Sequence, residues 1–202
     1  MKVIGITGGV GSGKSKVLAY LQEKHHMVVC QADQVAWTLQ EPGQECHKKI
    51  VDYFGNGILV EQEKIDRKRL GNIVFRYADK LQILNQIMHP AVKAKIKKEI
   101  CLEAEKGTEY FAIEAALLLE DHYNEICDEI WYIYADESVK RKRLKESRQY
   151  TDEKIDDIMR QQLSDEIFRE RCDVIIDNSG EFLETCEQID ARMNEGEIHE
   201  TL

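Results

Sequence analysis

What the chain lacks narrows its chemistry first. It lacks an excess of positive charge: 28 Lys and Arg stand against 38 Asp and Glu, a formal net charge of −10. A nucleic acid or an anionic membrane as main partner calls for a dominant basic surface, so neither is expected. No apolar run approaches bilayer-spanning length, and the N-terminus enters a strand pattern without a charged-then-apolar leader. Secretion and membrane insertion are therefore not expected. The six cysteines (Cys30, Cys46, Cys101, Cys127, Cys172, Cys186) include no CxxC pair and no His at a zinc-like offset, which points to reduced thiols in the cytosol. Internal repeats and low-complexity segments are missing as well. What remains is an acidic chain of 202 residues, 43% apolar and 33% charged. That is enough for one α/β domain with its own core and an inserted lid or helical subdomain.

The apolar pattern gives the order of elements. Lys2 to Thr7 is a short β-branched run ending in glycines, as a buried parallel strand entering a tight loop would be. Lys14 to His25 reads as a helix, and Met27 to Cys30 as a second strand that delivers Gln31, Ala32 and Asp33 at its carboxyl end, where open α/β sheets bind ligands. From about 34 to 106 the pattern is mainly helical, with breaks expected at Glu41-Pro42-Gly43, Gly55-Asn56-Gly57 and His89-Pro90. Pro90 is expected in the first turn of a helix whose apolar positions Val92, Ile96 and Ile100 recur every four residues. Further strands are expected at Tyr110 to Leu119, Ile130 to Tyr134 and Val174 to Ile176. Helices are expected at Asp136 to Glu146, Thr151 to Gln162 and Phe182 to Met193, with a frayed polar tail from Asn194 to Leu202. The alternation predicts a parallel sheet wrapped by helices.

The strongest chemical signal is Gly8-Gly9-Val10-Gly11-Ser12-Gly13-Lys14-Ser15, which matches GxxxxGK[ST] directly after a strand and at the opening of a helix. That context identifies a P-loop, in which backbone N–H groups and a helix N-terminus cradle phosphates. Lys14 is expected to reach the β and γ phosphates of ATP, and Ser15 to offer its hydroxyl to Mg²⁺. Asp33 is placed where a carboxylate can accept a proton from an attacking hydroxyl, although an Asp after a strand is as readily a helix cap. His89 fits a capping residue, a substrate ligand or neither. Glu114, at a strand end beside the P-loop strand, fits a water-mediated magnesium contact or a plain strand-end acid.

These residues, with several others in order, resemble the dephospho-coenzyme A kinase family over nearly the whole chain. The pieces are Ile6 to Ser15, Ala32 to Ala36, Glu41 to Gly43, Tyr53 to Leu59, Ile65 to Leu70, Leu84 to Pro90, Leu117 to Glu120 and Cys172 to Gly180. The resemblance implies a P-loop kinase-like sheet wrapped by helices, a helical acceptor-binding insertion over about 34–106 and a lid over about 136–162, all in a single domain. It implies ATP- and Mg²⁺-dependent phosphorylation of the ribose 3′-hydroxyl of dephospho-CoA by a cytoplasmic enzyme. By position, Asp33 matches the base, Asp66, Arg67, His89 and Pro90 match the acceptor side, Arg141 and Arg143 the lid cations, and Asn178 the loop near the adenine of ATP.

The sequence departs from that pattern in places. Lys16 stands where threonine is usual, Gln31 where aspartate is, Trp37 where arginine is common, Glu114-Ala115-Ala116 replaces a segment ending in proline, and Ser147 takes an arginine position with Arg148 displaced by one. Lys14, Ser15 and Asp33 are untouched. Two other readings compete. A nucleoside monophosphate kinase would share the loop and lid, but the pieces EPG, FGNG and LNQIMHP favour the coenzyme A branch. A regulator that binds nucleotide without turnover would rest on the departures alone. A GTPase is disfavoured, because no NKxD motif is present and the DxxG match at Asp177 to Gly180 falls too late.

Overall fold

The computed structural model describes residues 1–198. Five strands form one sheet in the order β2-β3-β1-β4-β5. They are β1 (Lys2–Thr7), β2 (Val28–Gln31), β3 (Tyr110–Glu114), β4 (Glu129–Tyr134) and β5 (Val174–Asp177). β1 runs parallel to both β3 and β4, and β4 parallel to β5. The helices are α1 (Lys14–His25), α2 (Ala32–Leu39), α3 (Glu45–Phe54), α4 (Arg67–Arg76), α5 (Ala78–Glu105), α6 (Glu137–Arg148), α7 (Asp152–Arg160), α8 (Asp165–Arg171) and α9 (Phe182–Ile198). The chain divides into two compact units, one of Met1–Val29 with Gly107–Leu202 and the other of Cys30–Lys106.

In the first unit the core lies between the sheet and its helices. Ile4 and Ile6 of β1, Trp131 and Ile133 of β4 and Ile176 of β5 pack with Val17, Leu18 and Leu21 of α1 and Ile189 and Met193 of α9, all nearly removed from water. Near-continuous burial along β1 and β4 is what a strand covered on both faces requires, and it explains the apolar runs of Val3 to Ile6 and Ile130 to Ile133. In the second unit α2, α3 and α4 each pack on α5. The side chains these helices bury are mostly apolar: Val35, Ile50, Leu70 and Val74 on the shorter helices, and on α5 Met88, Val92 and Ile96, which are four residues apart and so share one face.

Three sequence expectations need correction, and one helix, α8, was not expected. The break at His89-Pro90 does not occur: α5 is one helix of 28 residues with Pro90 inside it. Pro90 therefore does not open a helix and His89 does not cap one. The Pro90 ring nitrogen carries no proton, so the Gln86 carbonyl loses its ordinary partner, and three packed helices hold the long helix together despite that cost. The strand expected to Leu119 ends at Glu114. Its apolar continuation is a turn in which Asp121 N–H donates to the Leu117 carbonyl at 2.9 Å, and a short apolar run cannot distinguish the two. α8 lies in a stretch with no apolar periodicity to announce it; Tyr132 donates to Asp165 and stacks on Phe168 at 4.7 Å, tying the helix to β4. The tail expected to fray is helical through Ile198, and its last four positions lie outside the described residues.

Candidate functional site

The loop between β1 and α1 is shaped by what its glycines leave out. A Cβ on Gly8 would meet the Ile133 carbonyl at 2.5 Å, so β4 backbone packs directly against the loop. Gly13 has φ 91° and would place a Cβ 2.3 Å from Asn178 Nδ2. Only glycine satisfies both the left-handed backbone and the contact. Gly13 is also the residue before the first turn of α1, whose free N–H groups make that end a site for anions.

Lys14 lies across the loop, with Nζ donating to the Gly8 carbonyl at 2.6 Å and the Gly9 carbonyl at 3.3 Å. Ser15 follows in the first turn of α1 and is exposed. Buried in and beside the loop are two hydroxyl oxygens, Thr7 Oγ1 and Ser12 Oγ, for which no hydrogen-bond partner exists among the described residues. A glycine cradle, an ammonium group and a helix start form a donor-rich pocket of the kind that takes a polyphosphate. Among the described residues no group of three His, Cys, Asp or Glu side chains could hold a metal alone. A hydroxyl such as that of Ser15 suits a cation whose remaining ligands are phosphate oxygens and water.

Both arginines that the resemblance assigns to a lid lie on α6, and they have different partners. Arg141 is surrounded by acids: Nε donates to Glu137 at 2.8 Å, another nitrogen to Asp156, and Asp152 lies at 3.7 Å. Arg143 reaches the loop itself, donating to the Ser12 carbonyl at 3.2 Å and to the Asn178 carbonyl at 2.9 Å. The Asn178 side chain, almost fully buried, donates from Nδ2 to the same Ser12 carbonyl at 2.7 Å. Two residues to which the sequence assigned no role also approach the loop. Gln162, just beyond α7, accepts from Val10 N–H at 3.1 Å, and Lys140 Nζ lies 3.9 Å from where a Cβ on Gly9 would be. Lys140 carried a signal, the basic run 140–143; Gln162 carried none.

In the second unit Asp33 occupies the first turn of α2, with Gln31 in the capping position. It is exposed and makes no hydrogen bond or ion pair among the described residues, so it is not the cap that its position allowed. Asp66 does cap a helix: its carboxylate accepts from Arg69 N–H at 3.0 Å at the start of α4. Next to it, the Arg67 guanidinium sits 4.8 Å over the Trp37 ring and 3.8 Å from Glu41. His89 and Pro90 line a shallow cavity of about 440 Å³ along one face of α5. Of the departures, Lys16 lies over the Phe182 ring at 3.9 Å, and Ser147 donates to the Arg143 carbonyl at 2.6 Å.

Comparison with known proteins points one way. A family model described as dephospho-CoA kinase matches residues 2–184. The curated dephospho-CoA kinase of Carboxydothermus hydrogenoformans is 38% identical over 189 residues, covering 94% of this chain and 91% of the relative. That of Shouchella clausii is 35% identical over 186 residues, covering 92% and 94%. Among solved structures, TT1252 from Thermus thermophilus superposes with a TM-score of 0.80 at 26% identity, covering 96% of this chain and 97% of that one. A shikimate kinase from Acinetobacter baumannii shares the fold alone, with a TM-score of 0.53 at 12% identity, covering 100% of this chain and 96% of that one.

Proposed function

The chain belongs to the dephospho-CoA kinase family, and from that premise we propose how its residues divide the work of phosphorylating the ribose 3′-hydroxyl of dephospho-CoA with ATP. It is a kinase of coenzyme A biosynthesis. The triphosphate lies in the loop of Gly8 to Ser15, where backbone N–H groups and Lys14 meet its oxygens. The observation that carries this reading is the loop itself: glycines where a side chain would collide, and an ammonium held at its mouth by two carbonyls. The Ser15 hydroxyl would help hold Mg²⁺ bound with the nucleotide, and that ion would supply an offset to the charge building on the transferring group.

Asp33 accepts the proton of the 3′-hydroxyl; its freedom from any capping bond leaves the carboxylate available for that task. Arg67, His89 and Pro90 serve the acceptor, with Arg67 offering a guanidinium already oriented by Trp37, while Asp66 contributes by fixing the start of α4. Arg141 and Arg143 belong to a lid over about 136–162 that excludes water from the phosphates, and Asn178 belongs to the loop beside the adenine. The net charge of −10 and cysteines spaced without a CxxC pair support a cytoplasmic enzyme working on small molecules, with no nucleic-acid or membrane partner. None of the described helices is long and apolar enough to cross a membrane.

The test is ADP release with ATP, Mg²⁺ and dephospho-CoA, beside 3′-deoxy-dephospho-CoA and AMP as acceptors. Turnover with dephospho-CoA and none with the deoxy compound is expected. Equal turnover on AMP would make the chain a nucleotide kinase, and ATP binding without any turnover would make it a regulator.

A further inference from the structure

Thr185 lies on α9, belongs to no motif and is 1% exposed. Its hydroxyl donates to Asn178 Oδ1 at 3.0 Å, with the Asp177 carbonyl at 3.2 Å as its alternative acceptor. That bond, together with the Ser12 carbonyl, which can only accept, sets which way the Asn178 amide faces. With Oδ1 turned to Thr185, Nδ2 points at the Ser12 carbonyl, 2.7 Å away. A flipped amide would set its oxygen against another oxygen at that distance, with no proton between them.

The Ser12 carbonyl also accepts from Arg143, which in turn holds the Asn178 carbonyl, so the loop is buttressed from behind by a closed set of bonds. The consequence falls on the opposite side of one peptide plane. In a trans peptide the C=O of Ser12 and the N–H of Gly13 point in opposite directions. Donors that pin the carbonyl toward the buttress therefore aim the Gly13 N–H toward the cradle. Asn178 further abuts Gly13 where a Cβ would stand, so the plane has little room to rotate.

We infer that Thr185 is a positioning residue for ATP: through the Asn178 amide it sets the orientation of the Ser12–Gly13 peptide and thereby aims a phosphate-binding N–H. This rests on the loop as the ATP site, and it assigns Asn178 a role through its side chain that differs from lying beside the adenine.

The experiment measures ATP binding directly by titration, together with both KM values and kcat. Thr185→Val keeps the volume and removes the donor, leaving a buried acceptor unmet; about a tenfold rise in Kd and KM for ATP is expected, with KM for dephospho-CoA and kcat unchanged. Thr185→Ser restores the native values, and Thr185→Val adds nothing on an Asn178→Ala background, because the effect passes through that amide. Thr185→Ala gives the same split and keeps the test open if the valine variant does not fold. A native Kd for ATP in both variants, an equal rise in both KM values, or a full tenfold effect without Asn178 would overturn the assignment. Because the titration needs no acceptor, a native chain that bound ATP but ignored dephospho-CoA would refute the proposed reaction and leave this comparison intact.

Discussion

Replacing Gly13 by alanine separates the cost of a left-handed backbone from the cost of disturbing the buttress. Gly107 provides the control: it has φ 81° in the same unit, and a Cβ there would meet nothing within 4 Å. Gly107→Ala should therefore lose only the conformational term, about 1–2 kcal/mol. At Gly13, φ 91° brings the same term, but the new carbon falls 2.3 Å from Asn178 Nδ2. That nitrogen cannot step aside cheaply, because its amide is buried and held by Ser12 and Thr185. Moving it forfeits two hydrogen bonds at about 1 kcal/mol each. The difference between the variants is then about 2 kcal/mol, or about 4–8 °C in Tm for a chain of this size. Thermal unfolding of the two proteins measures that difference, and an ATP titration should show binding lost in Gly13→Ala and kept in Gly107→Ala. Melting points within about 2 °C of each other, or native ATP affinity in Gly13→Ala, would refute the reasoning.

Asp33→Asn should lower kcat by about 10²–10⁴-fold and leave ATP affinity unchanged, since the carboxylate contacts nothing that shapes the loop; turnover at the native rate would remove it as the base. Trp37→Ala should raise KM for dephospho-CoA about two- to fivefold through loss of the ring beneath Arg67, with Trp37→Phe recovering most of it and KM for ATP unmoved in steady-state kinetics. Glu129 gives a pH dependence. Burial opposes its ionisation, but bonds from Arg192, Trp131 and Lys2 outweigh that and hold the carboxyl below the usual glutamate value. A depressed folded-state value means stability is fully present above about pH 4.3 and is lost as pH falls through the folded value. Glu129→Gln should cost on the order of 1 kcal/mol at pH 7, the partners being partly exposed, and should flatten the acid limb of a Tm–pH curve.

The parts of the fold legible in sequence were those where one pattern serves one purpose. β1 is apolar from Val3 to Ile6 because both its faces are covered, and the glycines after it form a loop no side chain would fit, so strand, loop and helix start followed together. Boundaries failed where the pattern was ambiguous. Leu117-Leu118-Leu119 buries two of its three side chains in a turn as readily as a strand would. At Pro90 local chemistry argued for a break, and burial of Met88, Val92 and Ile96 on a common face overrode it. α8 is held by a tyrosine–aspartate bond and a ring stack from β4, contacts between residues more than 30 apart that no local window can reveal.

For the site, sequence supplied residue types but not directions, and Arg143 shows why the difference matters. A cation in a lid helix suggests a phosphate ligand; here the guanidinium donates to two backbone carbonyls behind the loop. The same logic reaches Asn178, whose amide is occupied on both sides within the protein. A donor pinned to the back of a peptide plane changes binding as surely as one touching the ligand, because the plane transmits orientation from its carbonyl to its N–H. Truncating Arg143 should therefore weaken ATP even where the guanidinium never meets a phosphate, whereas Arg141 is already engaged by Glu137, Asp152 and Asp156 and would have to exchange those acids before it could meet one. The two arginines lie two residues apart on one helix, and their partners divide them: Arg143 bonds to the loop and the Asn178 carbonyl, Arg141 to acids of α6 and α7.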